Sequence, residues 1–253
     1  MKKQAIILIL LSITVVDAIA QEAGPPIENR FVGGEEAFFM CIYNNISYPE
    51  SSKKNGSYGC SIAKFSLTPT GEILDIKIIN PVDKYIDNEV INVLLSTKGK
   101  WTKCDTVNND QVFYVQIDFL FSGLSTSSYA PRSKPYSSLF LNPIIVTSMA
   151  VYKPKNKIYD DQTLAIIVTS KNKIYDDQTL AAAGTSAIEE ERYDEAIEIL
   201  NELIKRHPFT KELYQLRILA HKKLGHTDLV NQDINTINNF AEGYSLDEIV
   251  GIN

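Results

Sequence analysis

The sequence predicts an α+β fold: a small antiparallel sheet carrying two helices, followed by an α-helical hairpin region. Three observations carry this. From Val112 to Phe121 apolar and polar residues alternate with a period of two. Two shorter alternating runs, Cys60–Thr68 and Ile73–Ile79, flank the turn sequence Thr68-Pro69-Thr70-Gly71. From Asp177 onward the apolar spacing changes to three and four residues, the period of a helix.

The 253 residues leave room for one large domain or two small ones. The formal net charge of −6 argues against a nucleic-acid binder, which needs a basic face. At the N-terminus Lys2 and Lys3 precede the apolar run Ala5–Val16, and Ala18-Ile19-Ala20 forms a small-x-small cleavage site. Residues 1–20 therefore have the layout of a secretory signal peptide. The expectation is an exported, periplasmic chain that starts at Gln21. The alternative is inner-membrane anchoring through an uncleaved N-terminal segment. Against it, a spanning helix needs about 20 apolar residues, and Asp17 interrupts this run. Export would place Cys41, Cys60 and Cys104 in an oxidising compartment, where an odd count leaves a thiol over. A Cys60–Cys104 disulfide is open to the chain, but three small apolar core residues is the favoured reading. The cysteine spacing fits no zinc pattern.

Taken in order, Gln21–Arg30 is a short polar lead. A first helix follows Gly33-Gly34, with Phe38, Cys41, Ile42 and Ile46 on one face and Glu35 and Glu36 in the first turn, where they complement the helix dipole. Pro49 stops it, and Asn55-Gly56 and Gly59 mark a loop. In the first strand Ala63, Phe65 and Leu67 share a face. In the turn, Pro69 presets one dihedral and Gly71 accepts a positive one. The second strand puts Leu74, Ile76 and Ile78 on one face, with Asp75 and Lys77 opposite. Asp87 is the expected N-cap of a second helix, whose packing face is Val90, Ile91, Leu94 and Leu95. Lys98-Gly99-Lys100 ends it, directly before Trp101. The closing strand turns Phe113, Val115, Ile117, Phe119 and Phe121 one way and Gln116 and Asp118 the other. Helices on one face of these strands are expected to suffice for that aromatic row.

This order, with Phe31-x-Gly33-Gly34, Asn45-Ile46-x-Tyr48-Pro49, Gly59, Gly71, Asp87, Lys100-Trp101 and a closing strand that ends in Phe, resembles the C-terminal domain of TonB as found in Bacteroidetes-type periplasmic proteins. The resemblance covers residues 28–122. It implies a domain without catalysis that receives a segment of an outer-membrane receptor by strand addition, through backbone hydrogen bonds. The edge expected to take the partner is the closing strand, with Val112, Tyr114, Gln116 and Asp118 as its outward residues. The expected partner is a protein, with no nucleic acid and at most indirect membrane contact. A cleaved leader and a lead as short as Gln21–Arg30 argue against force transduction.

Residues 123–154 read as a linker by composition. Leu139–Met149 is apolar around Pro143 and is left open as a strand on one of the two domains. Lys155–Ala165 recurs unchanged at Lys171–Ala181, a tandem duplication over 155–181 with a 16-residue offset. A duplicated connector is preferred to a repeated binding element, because two copies are too few for a solenoid. Over residues 177–240, Leu180, Gly184, Ala196, Leu200, Leu203 and Pro208 fall where a tetratricopeptide repeat of about 34 residues places its large, small and proline positions. Tyr214, Ala220, Leu224-Gly225 and Ile234 suit a weaker second unit. Such helices offer concave surfaces for peptides, which opens a second reading of the chain as a periplasmic scaffold or adaptor without energy coupling.

The sequence carries no nucleophile elbow, phosphate loop or dinucleotide fingerprint. His207, His221 and His226 all lie in the helical tail. The last two are five apart, a spacing that keeps them off one helix face. Asp160-Asp161 and Asp176-Asp177 sit at expected helix starts, where capping accounts for them. No cofactor, metal site or catalytic residue is expected, and the chain is read as a protein-interaction protein rather than an enzyme.

Overall fold

Period-two patterning sets the register of three strands, and the computed structural model describes them within residues 27–106, 108–122, 140–149 and 177–239. The expected leader and the first duplicate copy lie outside these residues, as do positions 123–139 and 150–154 of the expected linker. Helix α1 spans Gly34–Asn45 and buries Phe38 and Ile42, with Ile46 as an extended C-cap. A short helix α2, Glu50–Asn55, occupies the stretch expected to be a loop. Strands β1 (Gly59–Leu67) and β2 (Ile73–Asn80) form the hairpin, whose turn is closed by the Gly71 N–H donating to the Thr68 carbonyl at 3.0 Å. Helix α3, Lys84–Leu95, leads to β3, Gln111–Ser122, which pairs antiparallel with the other edge of β1.

Two local expectations are corrected. In β2, Asp75 takes a positive φ of 49° and the ladder to β1 shifts register between Lys64 and Ser66. This bulge reverses the alternation, so Ile73, Ile76 and Ile78 pack on the core while Leu74 is exposed. In α3 the N-cap is Asp83, not Asp87: its carboxylate accepts from the Tyr85 and Ile86 N–H groups, each at 2.9 Å. The buried face is accordingly Ile86, Val90, Val93 and Leu94, with Leu95 exposed.

Asp87 instead sits in the first turn and accepts from the Val82 N–H at 3.0 Å. Burial is the main cause that pushes its carboxyl up to about 6. A raised carboxyl stabilises the fold fully below the unfolded value of about 3.9, and that contribution is lost as pH rises through 6. Asp87→Asn keeps the acceptor and cannot charge. It is expected to exceed wild type in stability by about 1 kcal/mol at pH 7.5, with the gap closing by pH 4. Urea titrations at the two pH values check this; a gap that does not change with pH would contradict it.

The main core lies between one sheet face and helices α1 and α3. Phe65, Val115, Ile117 and Phe119 meet Phe38, Ile42, Ile86 and Val90 there. The sheet gains a fourth strand, β4 (Ile144–Met149), in the order β2-β1-β3-β4. The open apolar stretch around Pro143 is therefore part of this sheet.

The second face of the sheet, opposite the aromatic row, is covered as well. Four helices follow: α4 (Asp177–Glu189), α5 (Tyr193–Arg206), α6 (Lys211–Lys223) and α7 (Thr227–Asn239). The end of α5 lies on the start of β1. The Asn80 side-chain amide donates to the Cys60 carbonyl at 2.7 Å and to the Ile204 carbonyl at 3.3 Å. A Cβ on Gly59 would stand 2.7 Å from the Lys205 carbonyl oxygen, so only glycine permits this approach. Phe209 and Phe140 join Cys60 and Ile62 in a second apolar cluster beneath the helices.

Within the helical region Leu180, Ala196, Leu200 and Leu203 are buried as their spacing predicts. Gly184 faces Ile199, which a Cβ would approach to 3.3 Å. Sixteen residues earlier stands Val168, and Lys171 precedes the buried Ala187 by the same offset. The second copy of the duplicated segment is thus followed by small residues that fit against α5. Ile234 is exposed, and Val230 and Asp233 face inward instead. Asp233 accepts two hydrogen bonds from Arg217, at 2.9 and 2.6 Å, and Arg217 also donates to Asn201, which ties α5, α6 and α7 together.

None of the three cysteines is in a disulfide. The Cys60–Cys104 bridge fails on geometry. Cys60 begins β1, whereas Cys104 donates its N–H to Pro69 beyond the strand's other end. That strand length is about 20 Å, against the roughly 7 Å between Cα atoms that a disulfide allows.

Candidate partner-binding strand edge

A strand takes a partner through unpaired backbone groups, so neighbours on both sides decide whether β3 is available. It is an interior strand. β1 pairs along one side, from Gly59↔Phe119 to Leu67↔Gln111. On the other side β4 runs parallel, from Ile117↔Ile144 to Ser122↔Met149. Phe140 extends this contact with a bridge to Tyr114, and the Leu141 N–H donates to the Tyr114 carbonyl at 2.8 Å. The expected free edge is therefore occupied along most of its length by the chain's own residues.

The four residues expected on that edge share the second face of the sheet rather than solvent. Val112 is half-buried. Tyr114 stacks on Phe140, with 4.9 Å between ring centroids and 13° between planes, and burial raises its hydroxyl above the ordinary tyrosine range. Gln116 and Asp118 are buried, and the Gln116 amide donates to the Asp118 carboxylate at 2.9 Å. Their inward setting follows from the helices over this face, which no local pattern in β3 announces.

The outer edges of the sheet are β2 and β4. The bulge at Asp75 interrupts β2, and Lys77 stands opposite Lys64, so this edge is poorly suited to adding a strand. β4 turns Ile144 into the core and leaves Ile145 and Met149 exposed. The sequence left this apolar stretch open as a strand, and its partner strand was not legible.

Elsewhere the second face stays partly open. A cavity of about 470 Å³ lies between it and α7, with Lys64 and Tyr114 on the sheet and Asn231, Gln232 and Asn235 on the helix. His221 and His226, expected to stay apart, approach to 3.2 Å between their Nδ1 atoms. The helix ends at Lys223, and the turn at Leu224-Gly225 folds His226 back so that its N–H donates to the His221 carbonyl. Burial lowers the His221 imidazole below its ordinary value. Asp177 is not a cap but a buried ion-pair partner of Arg206 at 2.6 Å, and its other carboxylate oxygen is hydrogen-bonded to His207 Nε2 at 2.7 Å. Among the described residues no cluster of three or more metal-ligating side chains occurs, and no helix is long and apolar enough to cross a membrane.

No curated protein and no solved structure matches this chain. Residues 44–121, from the end of α1 through β3, match the family model described as the Gram-negative bacterial TonB protein C-terminal, so this stretch forms a TonB C-terminal-like domain, with β4 beyond its limit.

Proposed function

We propose that this is a non-enzymatic periplasmic protein-interaction protein whose TonB C-terminal-like sheet binds an extended segment of a protein partner by strand addition at β3. A short segment of an outer-membrane receptor is the partner that the likeness to the TonB C-terminal domain suggests. One observation carries the reading: β3 pairs in parallel with β4, a strand from outside the matched domain. That edge has the backbone geometry to accept an extended segment, and backbone hydrogen bonds supply affinity in such binding.

A second reading uses the tetratricopeptide-like helices as a peptide-holding scaffold without energy coupling. The amide-lined cavity between α7 and the sheet favours it. Site-specific photo-crosslinking in the cell envelope separates the two. A photoreactive residue at Val112 or Leu120 is expected to capture the periplasmic segment of an outer-membrane receptor, mapped by peptide sequencing. Capture from Asn231 or Asn235 alone would replace the first reading by the second.

A further inference from the structure

β4 differs from the rest of its sheet. β1, β2 and β3 are joined by antiparallel ladders, while β4 lies parallel to β3, a pairing slightly weaker per residue. Its hold is one-sided. Ile144 is buried and Val146 packs partly against the main core, whereas Ile145 is 44% and Met149 82% exposed. Its outer edge has no strand neighbour among the described residues. The layer beneath is largely complete without it. Tyr48 packs edge-on against Phe119 at 5.4 Å and stacks on Phe121 at 5.1 Å, all within the matched domain.

We propose that β4 is an internal ligand of the β3 edge, so that partner binding is a strand exchange in which Ile144–Met149 is displaced. The inference rests on the strand-addition reading above. β4 then also specifies the incoming segment. It runs parallel to β3 and places apolar, β-branched side chains where Ile144 and Val146 sit, opposite Ile117 and Phe119. At the position of Ser148, opposite Phe121, the side chain is small, because the Tyr48 and Tyr58 rings already lie 5.1 and 6.1 Å from Phe121. A tethered competitor of this kind acts at an effective concentration in about the millimolar range, and it lowers apparent affinity by the fraction of molecules whose edge is open.

The test uses a fluorescein-labelled peptide with the sequence of residues 143–149, titrated onto the full chain by anisotropy. In Ile145→Pro/Val146→Pro, adjacent N–H groups point to opposite sides, so one of the two prolines removes a ladder bond to β3. This variant is expected to bind the peptide about 10- to 100-fold more tightly than wild type, with an unchanged circular dichroism spectrum. Leu120→Cys/Thr147→Cys, a pair in register, is the complementary variant. Oxidised, it holds β4 in place and is expected to lose binding at least about tenfold relative to its reduced form. Equal affinity in wild type, proline variant and both redox forms would overturn the internal-ligand proposal alone. Absence of binding in every form, or binding that leaves the β3 amide resonances unmoved, would overturn the strand-addition reading and this proposal with it.

Discussion

Arg206→Ala is expected to cost about 3–5 kcal/mol, the range for removing one partner of a buried ion pair. Arg206 and Asp177 are nearly excluded from solvent, and the guanidinium donates to the carboxylate at 2.6 Å. His207 meets the other carboxylate oxygen at 2.7 Å. The guanidinium also lies 4.5 Å from the Tyr58 ring centroid, so one side chain joins α4 and α5 to the loop before β1. Burial alone would raise the Asp177 carboxyl. The His207 hydrogen bond and the Arg206 charge reverse this and hold it below its ordinary value. A depressed carboxyl stabilises above the unfolded value of about 3.9, and that share is lost as pH falls. The double variant Arg206→Ala/Asp177→Ala is expected to lose less than Arg206→Ala alone, because no buried charge is stranded. Urea unfolding followed by circular dichroism at pH 7 checks both. A loss below 1 kcal/mol for the single variant would contradict the arrangement.

Trp101→Ala is expected to cost about 3–5 kcal/mol and to abolish binding at β3 along with it. The indole packs among Phe31, Phe38 and Phe65, with ring centroids at 4.9, 5.6 and 5.6 Å, and Phe113 of β3 lies at 6.3 Å. Its Nε1–H donates to Thr97 Oγ1 at 3.0 Å, and the Thr97 hydroxyl in turn donates to the Leu94 carbonyl. The end of α3 and the start of β3 thus rest on one ring. Trp101→Phe keeps most of the apolar contact and leaves Thr97 with a partner. It is expected to cost about 1–2 kcal/mol, since only part of the ring volume and one hydrogen bond are lost. Thermal denaturation of the three proteins ranks them; equal stability of wild type and Trp101→Ala would contradict the role of this residue.

The strands that the sequence predicts well are those whose alternation runs unbroken from end to end. β1 and β3 carry Phe65, Val115, Ile117 and Phe119 at even spacing, and the structure follows within one residue at each end. β2 departs at Asp75, because a positive φ at one residue flips the parity without changing composition. The cap of α3 was misplaced by four residues, since Asp83 and Asp87 carry the same chemistry and only the donors they meet distinguish them. Helix α2 is short and polar, and its packing rests on tertiary contacts such as Ser52 to Asp83.

The candidate site was legible in its strand but not in its surroundings. Tyr114, Gln116 and Asp118 sit on the face opposite the aromatic row, as alternation requires. Their burial comes from Phe140 and the helical region, contacts between residues far apart in sequence. Asn80 and Ile204 are 124 positions apart. Nothing local in β3 signals a neighbour such as β4, because pairing along an edge involves backbone groups that every residue shares.

Amide hydrogen exchange across the chain, with and without the periplasmic segment of an outer-membrane receptor, tests strand addition at β3 most directly. Faster exchange in Ile144–Met149 with retained protection in Gln111–Ser122 is the predicted result, since the partner replaces one strand by another. New protection confined to Thr227–Asn239, with β3 and β4 unchanged, would contradict it.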